Sequence, residues 1–371
     1  MKRILPLALA LVLSATSLPA AAQAPLPLDK LAARIVTSLK VKAGETVLLR
    51  YDPDTLAGLE PVVRRQLEAV GATVESLTYA PAADLGERLA RTDIYIWLPA
   101  GENANSGPQE RALLARWLDE GRGRQIHFHW NGGTRDVDGL PVAHSAAYDA
   151  VYLDALDIDY KALAERQRRA AALLRSAETR VTSPAGTDLR FKVGDRPFNL
   201  QDGDASRERI AQAKVRVDRE VELPAGVLRV APIEASVQGT LVIPKARFGD
   251  AVVKNARLEI KDGLVVKATA DEGQAALDTF LASAPGARHF REFGLGFNPK
   301  LVVPAGQTAL PYYGYGDAVV RLSLGDNEEI GGQVRGGGVR WLFFPNTTVA
   351  VSGTTLVKNG KLAPPPAIKN R

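Results

Sequence analysis

The sequence predicts two domains in series: an N-terminal α/β domain and a β-rich α+β C-terminal domain. Three observations predict them. The chain has 371 residues, more than one domain of ordinary size. Its first half alternates short apolar runs with amphipathic, helix-spaced segments, the pattern of a parallel sheet covered by helices. Past about residue 175 the texture changes to short strand-like runs parted by glycine and proline. The boundaries read as a leader over residues 1–24, the first domain over 25–175, the second over 176–361 and a proline-rich tail over 362–371.

Lys2 and Arg3 open the leader, residues 4–13 are apolar, and small residues around Ala20 to Ala24 offer cleavage sites. This is the composition of a bacterial secretory signal, and it predicts a secreted, periplasmic protein. The apolar run is shorter than the roughly 20 residues a bilayer span needs. No later segment is long and apolar enough, so no membrane span is expected. No cysteine precedes the cleavage site, which speaks against a lipid anchor.

Leu31, Ile35 and Leu39 share one face of a helix predicted over 28–38. A strand is predicted over 46–51, a helix over 56–70 ending at Gly71, and a strand over 73–78. A short helix over 84–90, a strand over 94–98, a helix from Pro108 to about 120 and a strand over 125–130 continue the alternation. Residues 156–177 read as mostly helical. Strands follow over 179–182, 188–193, 227–230, 239–243, 257–261 and 264–269, then a helix over 272–283. Further strands are predicted over 301–303, 318–324, 339–344 and 349–351.

Composition excludes several classes. Apolar residues make up 46% and charged residues 24%, as in globular proteins. The net charge is +5 and falls to +3 when Lys2 and Arg3 leave with the leader. Basic residues are interspersed with acidic ones, so no nucleic-acid footprint is expected. The run ERQRR at 165–169 reads as a solvated helix face. There is no cysteine, which removes disulfides, thiolate ligands and cysteine nucleophiles together. Neither a G-x-S-x-G elbow nor an H-E-x-x-H helix occurs. The glycines at 336–338 precede no helix with a phosphate-binding pattern and read as a turn.

Two places could carry chemistry on residue type alone. His127 and His129 fall on one side of a strand, with Asp136 and Asp138 in the next loop. The set could hold one divalent metal ion, or the histidines could simply bond to backbone at a strand end. His289 and Glu292 in RHFREFGLGFNP could share one face of a helical turn, but Gly294 and Gly296 would stop a helix there. Separately, GGVRWLFF at 337–344 sets Arg340, a permanent cation, against bulky apolar neighbours.

RIVTSLKVKAGETVLLRY near the start, then GTDLRFKVGDR, ELPAGVLRVAPIEASVQG, RLEIKDGLVV, REFGLGFNP, RLSLGDNEEIGG and GGVRWLFFP resemble, in order and spacing, segments of the aminopeptidase T family of thermophilic dimetal aminopeptidases. The resemblance implies a thermophilic-metalloprotease-like fold with two metal ions in the second domain, held by glutamates, histidines, a tyrosine and an aspartate. Carried over residue by residue, Glu234 and Glu292 stand at the two glutamate positions. Arg321 and Arg340 stand where histidines are expected. Glu328 falls near the tyrosine, and Leu342 replaces the aspartate.

Arginine has no lone pair to offer a metal. The expectation is therefore that Arg321 and Arg340 pair with Glu234 and Glu292 in place of the ions, with no cofactor. On this reading the chain is a non-catalytic protein that binds a small anionic or peptide-like ligand, or acts as a scaffold. Arg321, Arg335, Arg340, Tyr313 and Tyr315 of the tyrosine-rich PYYGYGD would contact the ligand. The alternative is an active aminopeptidase with zinc, cobalt or manganese held by Glu234 and Glu292, helped by His289, Asp317 and Glu328. A single-iron redox site, implied because the fold also hosts ring-cleaving dioxygenases, would lack its histidine and aspartate. The resemblance also implies a homodimer.

Overall fold

A computed structural model describes residues 25–79, 83–99, 107–130 and 145–364. The expected leader, Asp136, Asp138 and all but the start of the expected tail lie outside these residues.

Helix α1 (Leu28–Leu39) forms because Leu31, Ile35 and Leu39 recur at helical spacing, and all three are buried. β1 (Thr46–Tyr51) and α2 (Leu59–Ala69) follow, and the chain turns at Gly71 with φ of 89°. Next come β2 (Thr73–Thr78), α3 (Leu85–Ala90), β3 (Ile94–Trp97), α4 (Pro108–Asp119) and β4 (Arg124–Phe128). The strands pair in parallel in the order β2-β1-β3-β4. Both faces of β1 are covered, which is why four consecutive residues of it are buried. At the base of the sheet, Arg124 donates to both carboxylate oxygens of Glu45 at 2.9 and 2.8 Å, and both side chains are buried.

The helical stretch expected over 156–177 is α6 (Tyr160–Ser176), and a helix not expected from the sequence, α5 (Ala146–Leu156), precedes it. The Asp159 side chain accepts from the N–H of Ala162 and caps α6, so the chain breaks and restarts there.

The remaining elements are β5 (Thr179–Thr182), β6 (Asp188–Phe191), β7 (Asn199–Leu200), α7 (Arg207–Ile210), β8 (Glu220–Leu223), β9 (Val227–Val230), β10 (Gln238–Phe248), β11 (Ala251–Lys261), β12 (Leu264–Thr269), α8 (Gln274–Ala282), β13 (Phe290–Gly296), β14 (Val320–Leu324), β15 (Arg340–Phe344), β16 (Thr348–Val351), β17 (Thr354–Lys358) and β18 (Lys361–Leu362). One antiparallel sheet has the order β12-β11-β10-β6-β5-β16-β17-β18, and another β15-β14-β13-β9-β7. Strand β8 joins neither. It lies parallel to β4 and closes the first sheet.

Several expectations shift. β10 and β11 are each 11 residues long and form one hairpin, well beyond the predicted 239–243 and 257–261. Residues 301–303 are not a strand: Val302 donates back to the Lys300 carbonyl at 2.9 Å, and Val302 and Val303 are exposed. His289 and Glu292 do not share a helical turn, because the segment is strand β13, buried at every residue.

The two antiparallel sheets face each other across Phe191 and Phe293, whose ring centroids are 5.3 Å apart. Phe293, Leu295, Val320, Leu322, Leu324 and Leu342 cover the core side of the five-stranded sheet. Since side chains alternate along a strand, the other side of that sheet carries Arg229, Glu292, Arg321 and Ser323. This polar face positions the site.

Candidate functional site

Cross-strand partners share a face, and the register fixes the members of this one. Glu292 lies opposite Ser323, and Gly294 lies between Arg229 and Arg321. Glu292 is fully buried and takes three guanidinium groups. Arg229 donates to its Oε2 through Nε at 3.2 Å and Nη2 at 3.1 Å. Arg321 Nε lies 2.8 Å from Oε1, and Arg291 Nε 3.6 Å from Oε2. The Arg321 approach is an ion pair whose angle falls outside hydrogen-bonding geometry, so Arg321 Nε and Glu292 Oε1 both lack a hydrogen bond. Burial opposes ionisation of Glu292, but Arg229, Arg321 and Arg291 outweigh it and hold the carboxyl at about 2.

Glu329 extends the cluster by pairing with Arg291 and, at 3.5 Å, with Arg229. Glu234 sits in a 3₁₀ turn after β9 and is satisfied separately. Arg196 donates to its Oε2, while the Asn327 side chain and the Gln333 N–H donate to its Oε1 at 3.1 and 2.8 Å.

The structure thus brings Arg321 to Glu292, while Glu234 pairs with Arg196. It does not bring Arg340 to either glutamate. Arg340 pairs with Leu324 and Leu342 with Leu322, so both project from the core side, and the Arg340 guanidinium lies 5.2 Å from the centre of the Phe248 ring. Strand parity puts Trp341 and Phe343 on the Glu292 side instead. The helpers proposed around the glutamates are elsewhere too. Asp317 is 3.5 Å from Arg166, and burial raises its pKa against that pull. Glu328 pairs at 2.7 Å with Arg335 in an exposed contact, and the neighbouring Glu329 is the residue that enters the cluster. His289 takes no part in the ion pairs of Glu292; its carbonyl accepts from Gly325 at 2.9 Å.

Tyr315 links this cluster to a second one. Its ring centre lies 5.6 Å from the Arg321 guanidinium, and its hydroxyl, like that of Tyr312, donates to Glu222 Oε2. Tyr313 stands edge-on to Trp341 with centroids 5.5 Å apart. Glu222 comes from β8 and neighbours His127 of β4, with His129 two residues on. His127 Nδ1 lies 3.0 Å from Glu220, and its Nε2 touches the side-chain nitrogen of Gln125. His129 packs against Tyr312 at 4.4 Å and Trp97 at 5.3 Å.

Burial lowers His129 to about 3. Burial also opposes protonation of His127, but Glu220 outweighs it and raises that ring. For Glu222 burial opposes ionisation, and His129, Arg229 and the two tyrosine hydroxyls outweigh it to hold the carboxyl low. Sequence reading found the two histidines but not Glu222, Arg229, Arg291 or Glu329, because β8 and the turn after β14 carry no local signal for where they dock.

The fold is of the thermophilic metalloprotease type. Residues 144–306 match the family described as thermophilic metalloprotease (M29). Two solved structures share the whole architecture. One is 2,5-dihydroxypyridine dioxygenase from Pseudomonas putida KT2440, 16% identical, covering 91% of this chain and 97% of that one at a TM-score of 0.61. The other is wild-type AmpT from Thermus thermophilus, 16% identical, covering 91% and 99% at a TM-score of 0.57. No curated protein matches the chain. The chain is thus similar to that family over residues 144–306 and shares the fold of both structures along most of its length.

The family name implies a metal, and the donor set here does not fit one at the glutamate positions. Glu292 is crowded by three guanidinium groups, Glu234 is paired with Arg196, and Glu329 with Arg291 and Arg229, so each carboxylate already has its counter-charge. Zinc-type ions need imidazole, thiolate or carboxylate donors, and arginine supplies none.

Proposed function

We propose that this chain is an exported aminopeptidase-like protein that binds a small anionic or peptide-like ligand rather than hydrolysing peptides. In it an arginine–glutamate cluster forms around Glu292, one of the two positions where the family resemblance implies a metal-binding glutamate. One observation carries the reading. Arg321 Nη2, Ser323 Oγ and Trp341 Nε1 are buried on the Glu292 side without a hydrogen-bond partner among the described residues. Ser323 and Trp341 are direct cross-strand partners, and Arg321 is two residues along the same strand. Three unused donor groups on one face suit an oxyanion such as a peptide carboxylate. Tyr313 and Trp341 supply flat walls beside it.

The test has two arms. Aminoacyl p-nitroanilides, assayed with and without added zinc, cobalt or manganese, should show no metal-stimulated turnover. Calorimetry against short peptides and dicarboxylates should find a binder whose affinity drops at least ten-fold in Trp341→Phe and in Ser323→Ala. Metal-dependent hydrolysis lost in Glu234→Gln and Glu292→Gln would overturn the reading in favour of a rebuilt dimetal centre. No observation favours that alternative, since Asp317 and Glu328 are engaged with Arg166 and Arg335.

The leader-like residues 1–24 support export to the periplasm, which N-terminal sequencing of the fractionated protein tests. A homodimer rests on the family resemblance, and light scattering on the purified chain checks it.

A further inference from the structure

The geometry points to a separate mononuclear site for a divalent first-row transition ion, held by His127, His129 and Glu222 at the carboxyl edge of the parallel sheet. One ligand atom from each residue lies within 4.8 Å of the other two. An ion with bonds of about 2.1 Å holds tetrahedral donors roughly 3.4 Å apart, so side-chain rotations within existing elements suffice to close the set. Two imidazoles and one carboxylate are the donor set of zinc and iron(II) sites and differ from the all-oxygen shells of magnesium and calcium.

Four further observations support it. His129 Nε2 is buried and has no hydrogen-bond partner among the described residues, so an imidazole nitrogen is held next to Glu222 without a use. Glu220 lies 3.0 Å from His127 Nδ1, the outer carboxylate that commonly orients a metal-bound histidine through its other nitrogen. Tyr312 and Tyr315 both donate to Glu222 Oε2 and so fix the carboxylate. Finally, the three residues stand just at or beyond the carboxyl ends of β4 and β8, where open parallel sheets bind their ligands. His127 and its neighbours are part-exposed, at 24% for the His127 side chain, so an ion can reach them from solvent. Gln125, which touches His127 Nε2, is the group an ion must displace. The site is not the glutamate position of the family, from which Tyr315 separates it.

The full chain, stripped with chelator, is titrated with Co²⁺ alone and then with Zn²⁺. One equivalent is expected, with visible cobalt absorption that zinc displaces. His129→Phe keeps the ring packing against Tyr312 and Trp97 and removes both nitrogens; Glu222→Gln keeps an acceptor for the tyrosines. Each should weaken binding at least ten-fold while circular dichroism and melting stay those of a folded chain. Glu234→Gln should leave the titration unchanged. Absence of binding to the wild-type chain overturns the proposal, and so does binding that survives His129→Phe. If either variant fails to fold, imidazole signals in the X-ray absorption spectrum of the cobalt-loaded wild type decide: two bound imidazoles support the site, none or one overturns it. An equivalent lost in Glu234→Gln but kept in His129→Phe overturns this site and the closed-cluster reading together. Loss in His129→Phe alone leaves both standing.

Discussion

Replacing Arg321 by Met removes one of the three guanidinium groups on Glu292 and nearly conserves volume. The carboxylate is fully buried and held at about 2 against an ordinary 4.5. A folded pKa below the unfolded value adds stability above pH 4.5 that is lost as pH falls toward 2. A difference of about 2.5 units corresponds to about 3 kcal/mol in the wild-type chain. Removing one partner from a buried ion pair costs about 3–5 kcal/mol. The low end applies here, because Arg229 keeps both contacts to Oε2 and the Arg321 contact is not a hydrogen bond. Arg321→Met should therefore lower stability at pH 7 by about 3 kcal/mol, or melting by roughly 4 °C for a chain of 371 residues. It should also move the acid limb of stability to higher pH, since Glu292 loses part of what holds it ionised. Urea unfolding followed by tryptophan fluorescence, repeated from pH 7 to pH 3, reads both quantities. Adding Glu292→Gln to Arg321→Met should show coupling of about 1–3 kcal/mol. A change below about 0.5 kcal/mol at pH 7, with superimposable acid limbs, would refute the idea that Arg321 neutralises Glu292.

Arg124→Met should cost about 3–5 kcal/mol, because it strands the buried carboxylate of Glu45; Glu45→Gln with Arg124→Met should cost much less than the two singles summed. Gly296→Ala would place its Cβ 1.9 Å from the Gly316 carbonyl oxygen and 2.8 Å from that of Gly314, so backbone must move; a loss of about 3 kcal/mol is expected in denaturant melts. Arg321→His combined with Arg340→His should bind no more cobalt than Arg321→His alone, because position 340 faces Phe248 and not Glu292; a gained equivalent in the double variant would refute the strand register.

Much of the fold is legible where one short periodic run decides one element. Leu31, Ile35 and Leu39 mark α1, and the apolar run of β1 marks a strand covered on both faces. Legibility fails where a partner far along the chain decides. Residues 220–223 become β8 only because β4 offers a free edge. Residues 251–256 join β11 because β10 pairs with them, although Lys254 and Asn255 interrupt the apolar run that opens the segment. In the site the failures are of parity. Reading Arg340 and Leu342 into the cluster in place of Trp341 and Phe343 is a one-residue slip along β15, and such a slip sends every side chain to the other face. Glu328 against Glu329 is the same error in a turn.

The cluster's charge balance explains why the glutamate positions and the histidine seam, though separated only by Tyr315, should differ toward cations. Glu234, Glu292 and Glu329 are three carboxylates, and Arg196, Arg229, Arg291 and Arg321 face them as four fixed cations. A dication among them would add two uncompensated charges where little water can screen them, at a cost of several kcal/mol. Metal could enter only by expelling an arginine from a strand it is packed into, and Arg321 is 3% exposed. At the seam an entering ion instead meets an imidazole nitrogen with no partner and a carboxylate that two neutral hydroxyls already orient. The same tyrosine ring that shields the guanidinium charge from one side presents its hydroxyl to the other, so closing one position to metal need not close its neighbour.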